Sequence, residues 1–308
     1  MPLERNSPCK VNFLLNILGK RADGFHELET VMHPIALFDT LSFERKNGSA
    51  VELTCSEPSL PIDSTNLVHR AATAFLNAAQ IRGGVRIHLE KRIPVAAGLG
   101  GGSSNAAQTL LGLGELFGNP LPPGELSRIG ASLGSDVPFF LQSGPALATG
   151  RGESIASLPP LAALRGAFVL LVFPGFGIST AWAYQQLARF PAVLNGERGR
   201  AQKLVSLLQG AELSAAAPAF YNALETPALS KYPILSLYQE FMCENGALVS
   251  RMSGSGSATF GILPNEAFVR QLEERFRSKF GDACWTTVAS LGALDPSPSR
   301  WSGASPRL

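Results

Sequence analysis

The sequence predicts a mixed α/β chain folded as two units. Three observations carry that prediction. Short apolar runs of strand character alternate with stretches of helical period along the chain. A second series of such elements begins after the Pro159-Pro160 pair, the best candidate for a linker. A chain of 308 residues, 45% hydrophobic and only 16% charged, can bury more than one core.

Residues 9–18 alternate. Val11, Phe13, Leu15 and Ile17 face one way and Lys10, Asn12 and Asn16 the other, which reads as a strand with one buried face. Residues 41–44, 51–55 and 85–90 also read as strands. Ser64 or Thr65 is placed to cap a helix running to about Gln80, with Leu67, Ala71, Phe75 and Ala79 inward. A second helix opens at Ser103 or Ser104 and closes near Gly118, and Leu126, Ile129 and Leu133 mark a third. Residues 168–173 are a buried strand. Helices follow near 180–190, 201–209 and 234–245, then a strand at 258–263, a charged helix at 265–280 and a strand at 284–290. The expected division is 1–160 and 161–290, with 291–308 as a flexible tail.

The net charge of +2 gives no field suited to nucleic acid, and no apolar run approaches the 18 residues of a membrane span. The N-terminus, MPLERNSPCK, is too polar for a signal peptide. Cysteines at 9, 55, 243 and 284 have no metal-ligand spacing and fit reduced thiols in a cytoplasmic protein. The expected partner is a small molecule, not nucleic acid or membrane.

The feature that points to chemistry is residues 94–107, PVAAGLGGGSSNAA. Glycines at 98, 100, 101 and 102 let backbone N–H groups turn toward an anion, and the helix that follows adds its own free N–H groups. The pattern predicts polyphosphate binding. It is not a Walker loop, since no lysine precedes Ser103-Ser104, and Ser103 breaks the dinucleotide fingerprint. A merely flexible glycine loop is the plainer alternative, but it leaves Ser103, Ser104 and Asn105 only a capping role.

Lys10 and Asn12 stand two apart on one strand face, so their heads can converge on one ligand or simply meet solvent. GKRADGFHELET at 19–30 reads as a hairpin turn. Asp136 in LGSDVPFF is a helix cap or a catalytic carboxylate. RMSGSGS at 251–257 is a second Gly/Ser loop, read as a tight turn, and two such loops suggest one shared site.

With SPCKVNFLLNI at 7–17, PVAAGLGGGSSNAA at 94–107 and RMSGSGSATF at 251–260 in that order, the chain resembles the GHMP kinase superfamily of small-molecule kinases. Cys9 stands where that pattern usually has Ala, Phe25 where Tyr is commoner, and Ser replaces Thr in the last loop. The first should be silent; the second loses a hydroxyl but keeps a stacking face. The resemblance implies an α/β, two-domain fold, an N-terminal ATP-binding domain and a ferredoxin-like C-terminal domain with a cleft between them. It implies ATP and Mg²⁺ as cofactors, a monomer or weak homodimer, and transfer of phosphate to the 2-hydroxyl of a cytidyl-diphosphate-linked methylerythritol. Lys10 and Asp136 would be catalytic. Pro94, Val95, Ala96, Ala97, Gly98, Leu99, Gly100, Gly101, Gly102, Ser103, Ser104 and Asn105 would hold the ATP phosphates, with Asn66 and Lys91 lining the adenine pocket. Phe25 and Tyr184 would sandwich the cytosine and His26 read its edge, with Asn12, Thr180, Gly254 and Ser255 completing the substrate side. For Mg²⁺ the resemblance suggests only Ser104. A homoserine- or mevalonate-type kinase and a non-enzymatic nucleotide sensor are the rivals, and the sensor has no need of Lys10 and Asp136 together.

Overall fold

A computed structural model describes residues 2–210 and 212–292. In chain order its first half contains β1 (Leu3–Lys20), β2 (His26–Lys46), β3 (Val51–Cys55), α1 (Leu67–Ala78), β4 (Gly84–Glu90), α2 (Gly101–Leu116), α3 (Pro123–Leu133), β5 (Ala146–Gly150) and β6 (Ser154–Ser157). The second half contains β7 (Phe168–Phe173), α4 (Thr180–Gln186), α5 (Pro191–Leu194), α6 (Arg200–Gln209), α7 (Leu213–Ala216), β8 (Tyr221–Asn222), α8 (Glu225–Lys231), α9 (Ile234–Glu244), β9 (Val249–Met252), β10 (Thr259–Leu263), α10 (Glu266–Phe280) and β11 (Trp285–Ser290). Residues 293–308, most of the expected tail, lie outside the described residues; Leu291 is buried, and its N–H bonds to the Ala167 carbonyl.

The first sheet runs β3-β4-β2-β1-β8, with the β5–β6 hairpin added to β2. The second runs β11-β7-β10-β9, all antiparallel. Taken in chain order its strands lie 4-1-3-2, the order of a ferredoxin-like layer. One core lies between the first sheet and α1 to α3, around Phe43, Phe75 and Leu110. A second joins the two sheets through Val11, Phe13, Leu171 and Phe260. A third packs α8 to α10 on the second sheet around Met242 and Phe276. Among the described residues no helix is long and apolar enough to cross a membrane.

The architecture corrects several local expectations. β1 does not have one wet face. Lys10 and Asn12 are 3% exposed and Asn16 is fully buried, because β1 is an interior strand covered on both sides. Its register with β2 shifts between Pro8 and Cys9 and again between Asn12 and Leu14, so bulges bracket residues 9–12 and re-aim their side chains. β2 runs 21 residues rather than four, since Glu29, Thr30, His33 and Asp39 break its apolar pattern while remaining buried. Asn66, not Ser64 or Thr65, caps α1, its Oδ1 accepting from the Val68 N–H at 2.8 Å. α2 begins at Gly101, ahead of Ser103 and Ser104, because Gly100 takes the left-handed conformation (φ 73°) that only glycine adopts freely.

Candidate active site

Three loops meet at the bulged segment of β1. The glycine loop packs against it, with the Lys10 N–H bonded to the Leu99 carbonyl at 2.9 Å. The 252–257 loop packs on the glycine loop in turn: Ser253 Oγ donates to the Gly98 carbonyl at 2.9 Å and the Ala258 N–H to the Ala97 carbonyl at 2.9 Å. Asn222, on β8, holds that third loop by donating to the carbonyls of Met252 and Gly254, each at 2.8 Å. Glu225 accepts the Met252 N–H at 2.6 Å, and burial pushes its carboxyl above the ordinary carboxylate range.

The Lys10 ammonium donates to Asn12 Oδ1 at 2.5 Å and to the Gly98 carbonyl at 3.1 Å, and lies 3.6 Å from Asp136 Oδ2. Asn12 is itself fixed by donating to Thr30 Oγ1 at 2.9 Å. Asp136 sits between α3 and a 3₁₀ turn at Pro138–Leu141 that has no side-chain cap, so its carboxylate caps nothing and faces Lys10.

Two cavities flank this pair. One, of about 380 Å³, is lined by Asn66, Lys91, residues 94–103 and Asn105. The other, of about 950 Å³, is lined by Lys10, Asn12, Phe25, His26, Asp136, Thr180, Tyr184, Gly254 and Ser255, together with Lys20, Thr30 and Arg151. They share Ala96, Gly98 and Gly100, so the glycine loop is the wall between them. No side chain caps the first turn of α2, leaving its N–H groups for an anion. In the larger cavity the His26 and Tyr184 rings lie 5.1 Å apart, and the Arg151 guanidinium covers Phe25 at 4.8 Å. Burial, and then the charge of Lys20, hold His26 below the ordinary histidine value. Burial and the Asp136 charge raise the Tyr184 phenol, so it stays protonated. Thr180 and Ser255 meet through their hydroxyls at 2.9 Å.

Models of the GHMP kinase N-terminal domain and C-terminal region match residues 66–144 and 200–282. The chain belongs to the GHMP kinase family. A 4-diphosphocytidyl-2-C-methyl-D-erythritol kinase of Synechococcus sp. strain JA-2-3B'a(2-13) is 42% identical over 301 residues, covering 94% of this chain and 95% of that one. The enzyme of the same name from Pelotomaculum thermopropionicum is 40% identical over 269 residues, 87% and 92% of the two chains. A crystal structure of a 4-(cytidine 5'-diphospho)-2C-methyl-D-erythritol kinase superposes with TM-score 0.77 at 36% identity, covering 94% of this chain and 99% of that one. A homoserine kinase from Cytophaga hutchinsonii, TM-score 0.74 over 95% of each chain at 19% identity, shares the fold.

In this GHMP kinase the residues expected from sequence fall into two groups. Those expected for ATP line the smaller cavity, except Ser104, which is fully buried and accepts the Ser7 hydroxyl at 2.8 Å, so it lines neither cavity. Those expected for catalysis and substrate line the larger one. Sequence reading missed Thr30, Asp39, Arg151, Asn222 and Ser253. Each does its work through a partner more than 15 residues away or a backbone group; Thr30 and Ser253 stand inside strings the sequence singles out, but nothing in those strings marks them for the site.

Proposed function

We propose that this kinase transfers the γ-phosphoryl group of ATP to the 2-hydroxyl of 4-diphosphocytidyl-2-C-methyl-D-erythritol. The observation that carries this reading is the pair of cavities that share a glycine wall, with Lys10 and Asp136 beside it. ATP lies in the smaller cavity with its polyphosphate on the loop and the α2 N-terminus. The acceptor alcohol lies in the larger cavity beside Asp136. Phosphoryl transfer asks mainly for alignment and charge neutralisation. Lys10, already oriented by Asn12 and Gly98, neutralises the moving phosphoryl group. Asp136 aligns the hydroxyl and accepts its proton as the new P–O bond forms. Phe25 and Tyr184 offer aromatic faces for a pyrimidine, stacking worth about 1–3 kcal/mol per base, and His26, held neutral, offers a ring nitrogen to its edge.

Among the described residues no cluster of three acidic, His or Cys side chains could hold a metal by itself. That donor set fits Mg²⁺ carried by the nucleotide, which keeps most of its waters and takes one or two protein oxygens. Ser103, on the wall of the smaller cavity, is the hydroxyl that would supply one. When bound, the ion neutralises the β and γ oxygens.

A coupled assay of ADP release tests the proposal, with the cytidyl substrate, free 2-C-methyl-D-erythritol 4-phosphate, homoserine and mevalonate as acceptors. Turnover is expected with the cytidyl substrate alone, because remote binding orients the reacting hydroxyl. Equal turnover of the truncated and full substrates would refute the cytidine-specific reading.

A further inference from the structure

Among the described residues, Asp39 is the one fully buried carboxylate bound to both ends of the glycine loop. It stands on β2 opposite Ser7 of β1 and is 0% exposed. Its Oδ1 accepts the backbone N–H groups of Arg92 at 2.8 Å and Ile93 at 2.9 Å, just before the loop. Its Oδ2 accepts Asn105 Nδ2 at 2.9 Å, just after the loop, and pairs with the Lys91 ammonium. Asn105 Nδ2 also donates to Ser7 Oγ at 2.9 Å, and the Lys91 N–H is taken by Ser56 Oγ at 2.8 Å. Lys91 and Asn105 line the smaller cavity, whereas Asp39 lines neither cavity.

We infer that Asp39 is a positioning residue for the nucleotide: one buried carboxylate clasps the two ends of the phosphate loop and aims the Lys91 ammonium into the cleft. The chemistry of the four contacts supports this. A carboxylate has only acceptor sites, and four donors from three directions converge on it. A loop closed by glycines has little rigidity of its own. Pinning residues 92–93 and 105 to one point of a sheet fixes where the intervening N–H groups face. Pairing Lys91 with a buried anion keeps its charge compensated while its side chain reaches the cavity wall. Asp39 therefore acts on ATP through Lys91, Asn105 and the loop, never by touching it. The inference rests on the kinase reading above for the identity of the nucleotide.

The test is Asp39→Asn, which keeps the shape but turns an amide NH₂ toward donors. ATP is titrated calorimetrically into the enzyme without acceptor, and KM is measured for ATP and for the acceptor. The ATP Kd is expected to rise at least ~10-fold, as when a buried acceptor of several donors is removed, with the acceptor KM unchanged. Phe276→Leu, a core change on the far side of the second sheet, serves as the control for lost stability and should leave the ATP Kd alone. An unchanged ATP Kd in Asp39→Asn, or an equal rise in the acceptor KM, overturns the assignment. If Asp39→Asn does not fold, the double variant Asp39→Asn/Lys91→Met, which removes both charges, is compared with Lys91→Met. Weaker ATP binding by the double variant supports the clasp, and equal binding overturns it. If the wild-type chain itself takes up no ATP, the kinase reading fails instead.

Discussion

Lys10 is held by two acceptors from the protein and faces a third, so its charge is already oriented before any substrate arrives. Orientation of that kind lowers the reorganisation needed when charge moves in the transition state. Asp136 is the other half of the pair. Asp136→Asn keeps the volume but loses the proton acceptor, so turnover should fall at least ~100-fold, the usual scale of general-base assistance. ATP binding should persist, because Asp136 does not line the nucleotide cavity. Near-normal turnover in a purified, ATP-binding variant would remove Asp136 from the mechanism. The pairing of Lys10 with Asp136 was legible only through the resemblance to the GHMP kinases; the residues alone left Lys10 a strand-face lysine and Asp136 a helix cap or a catalytic carboxylate. Asp39 and Asn222 were not legible. Their partners lie 52 to 66 and 30 to 32 residues away, and only the folded chain brings them together.

The glycine loop and the 252–257 loop behave as one element. Gly98 is left-handed (φ 81°), and a Cβ placed on it would overlap the Ser253 carbonyl oxygen and lie 3.0 Å from the Gly256 nitrogen. Both obstacles are backbone, so neither can rotate away. Gly98→Ala should therefore cost at least ~2 kcal/mol of stability, since a strained φ alone costs of order 1–3 kcal/mol, and should weaken ATP binding as the loops part. Chemical denaturation and nucleotide titration of Gly98→Ala and Gly124→Ala provide the comparison. The Gly124 Cβ would meet nothing within 4 Å and Gly124 lies in the first turn of α3, so its variant should be at least as stable as the wild type and bind the nucleotide equally. Equal stability of the two variants would mean that the loops are not in register. At this scale the sequence was legible where an element has one dominant pattern. β7 is a continuous apolar run and β3 a short alternating one, and both fall at the residues expected. The 21 residues of β2 were not legible, because buried polar groups serving the site interrupt its pattern. β8 has only two residues, too few for any period, yet it carries Asn222.

The whole molecule is two sheets sharing a core, and a histidine lies in that shared layer. His33 is 5% exposed, its ring stacks on Phe13 at 5.1 Å, and its Nδ1 donates to the Pro34 carbonyl at 2.7 Å. Phe13 in turn packs on Phe220 and Phe260, so an imidazolium at position 33 would sit where water cannot reach it. Burial pulls its pKa down to about 4, against 6.5 for the free side chain. A histidine with a depressed native pKa binds fewer protons folded than unfolded. Its contribution is then fully present above pH 6.5 and is lost as the pH falls toward 4, because only the unfolded chain takes up the proton. The gap corresponds to about 3 kcal/mol across that window, at 1.36 kcal/mol per unit. Glu225 works in the opposite direction, since its raised carboxyl pKa makes the folded state gain relative stability as the pH drops. The His33 term is therefore isolated by difference. His33→Phe gives up the bond to Pro34 but cannot take a proton, so urea midpoints of the two proteins should converge as the pH falls from 6.5 to 4. Parallel curves would show that His33 is not held neutral, and that the layer joining the two sheets admits water.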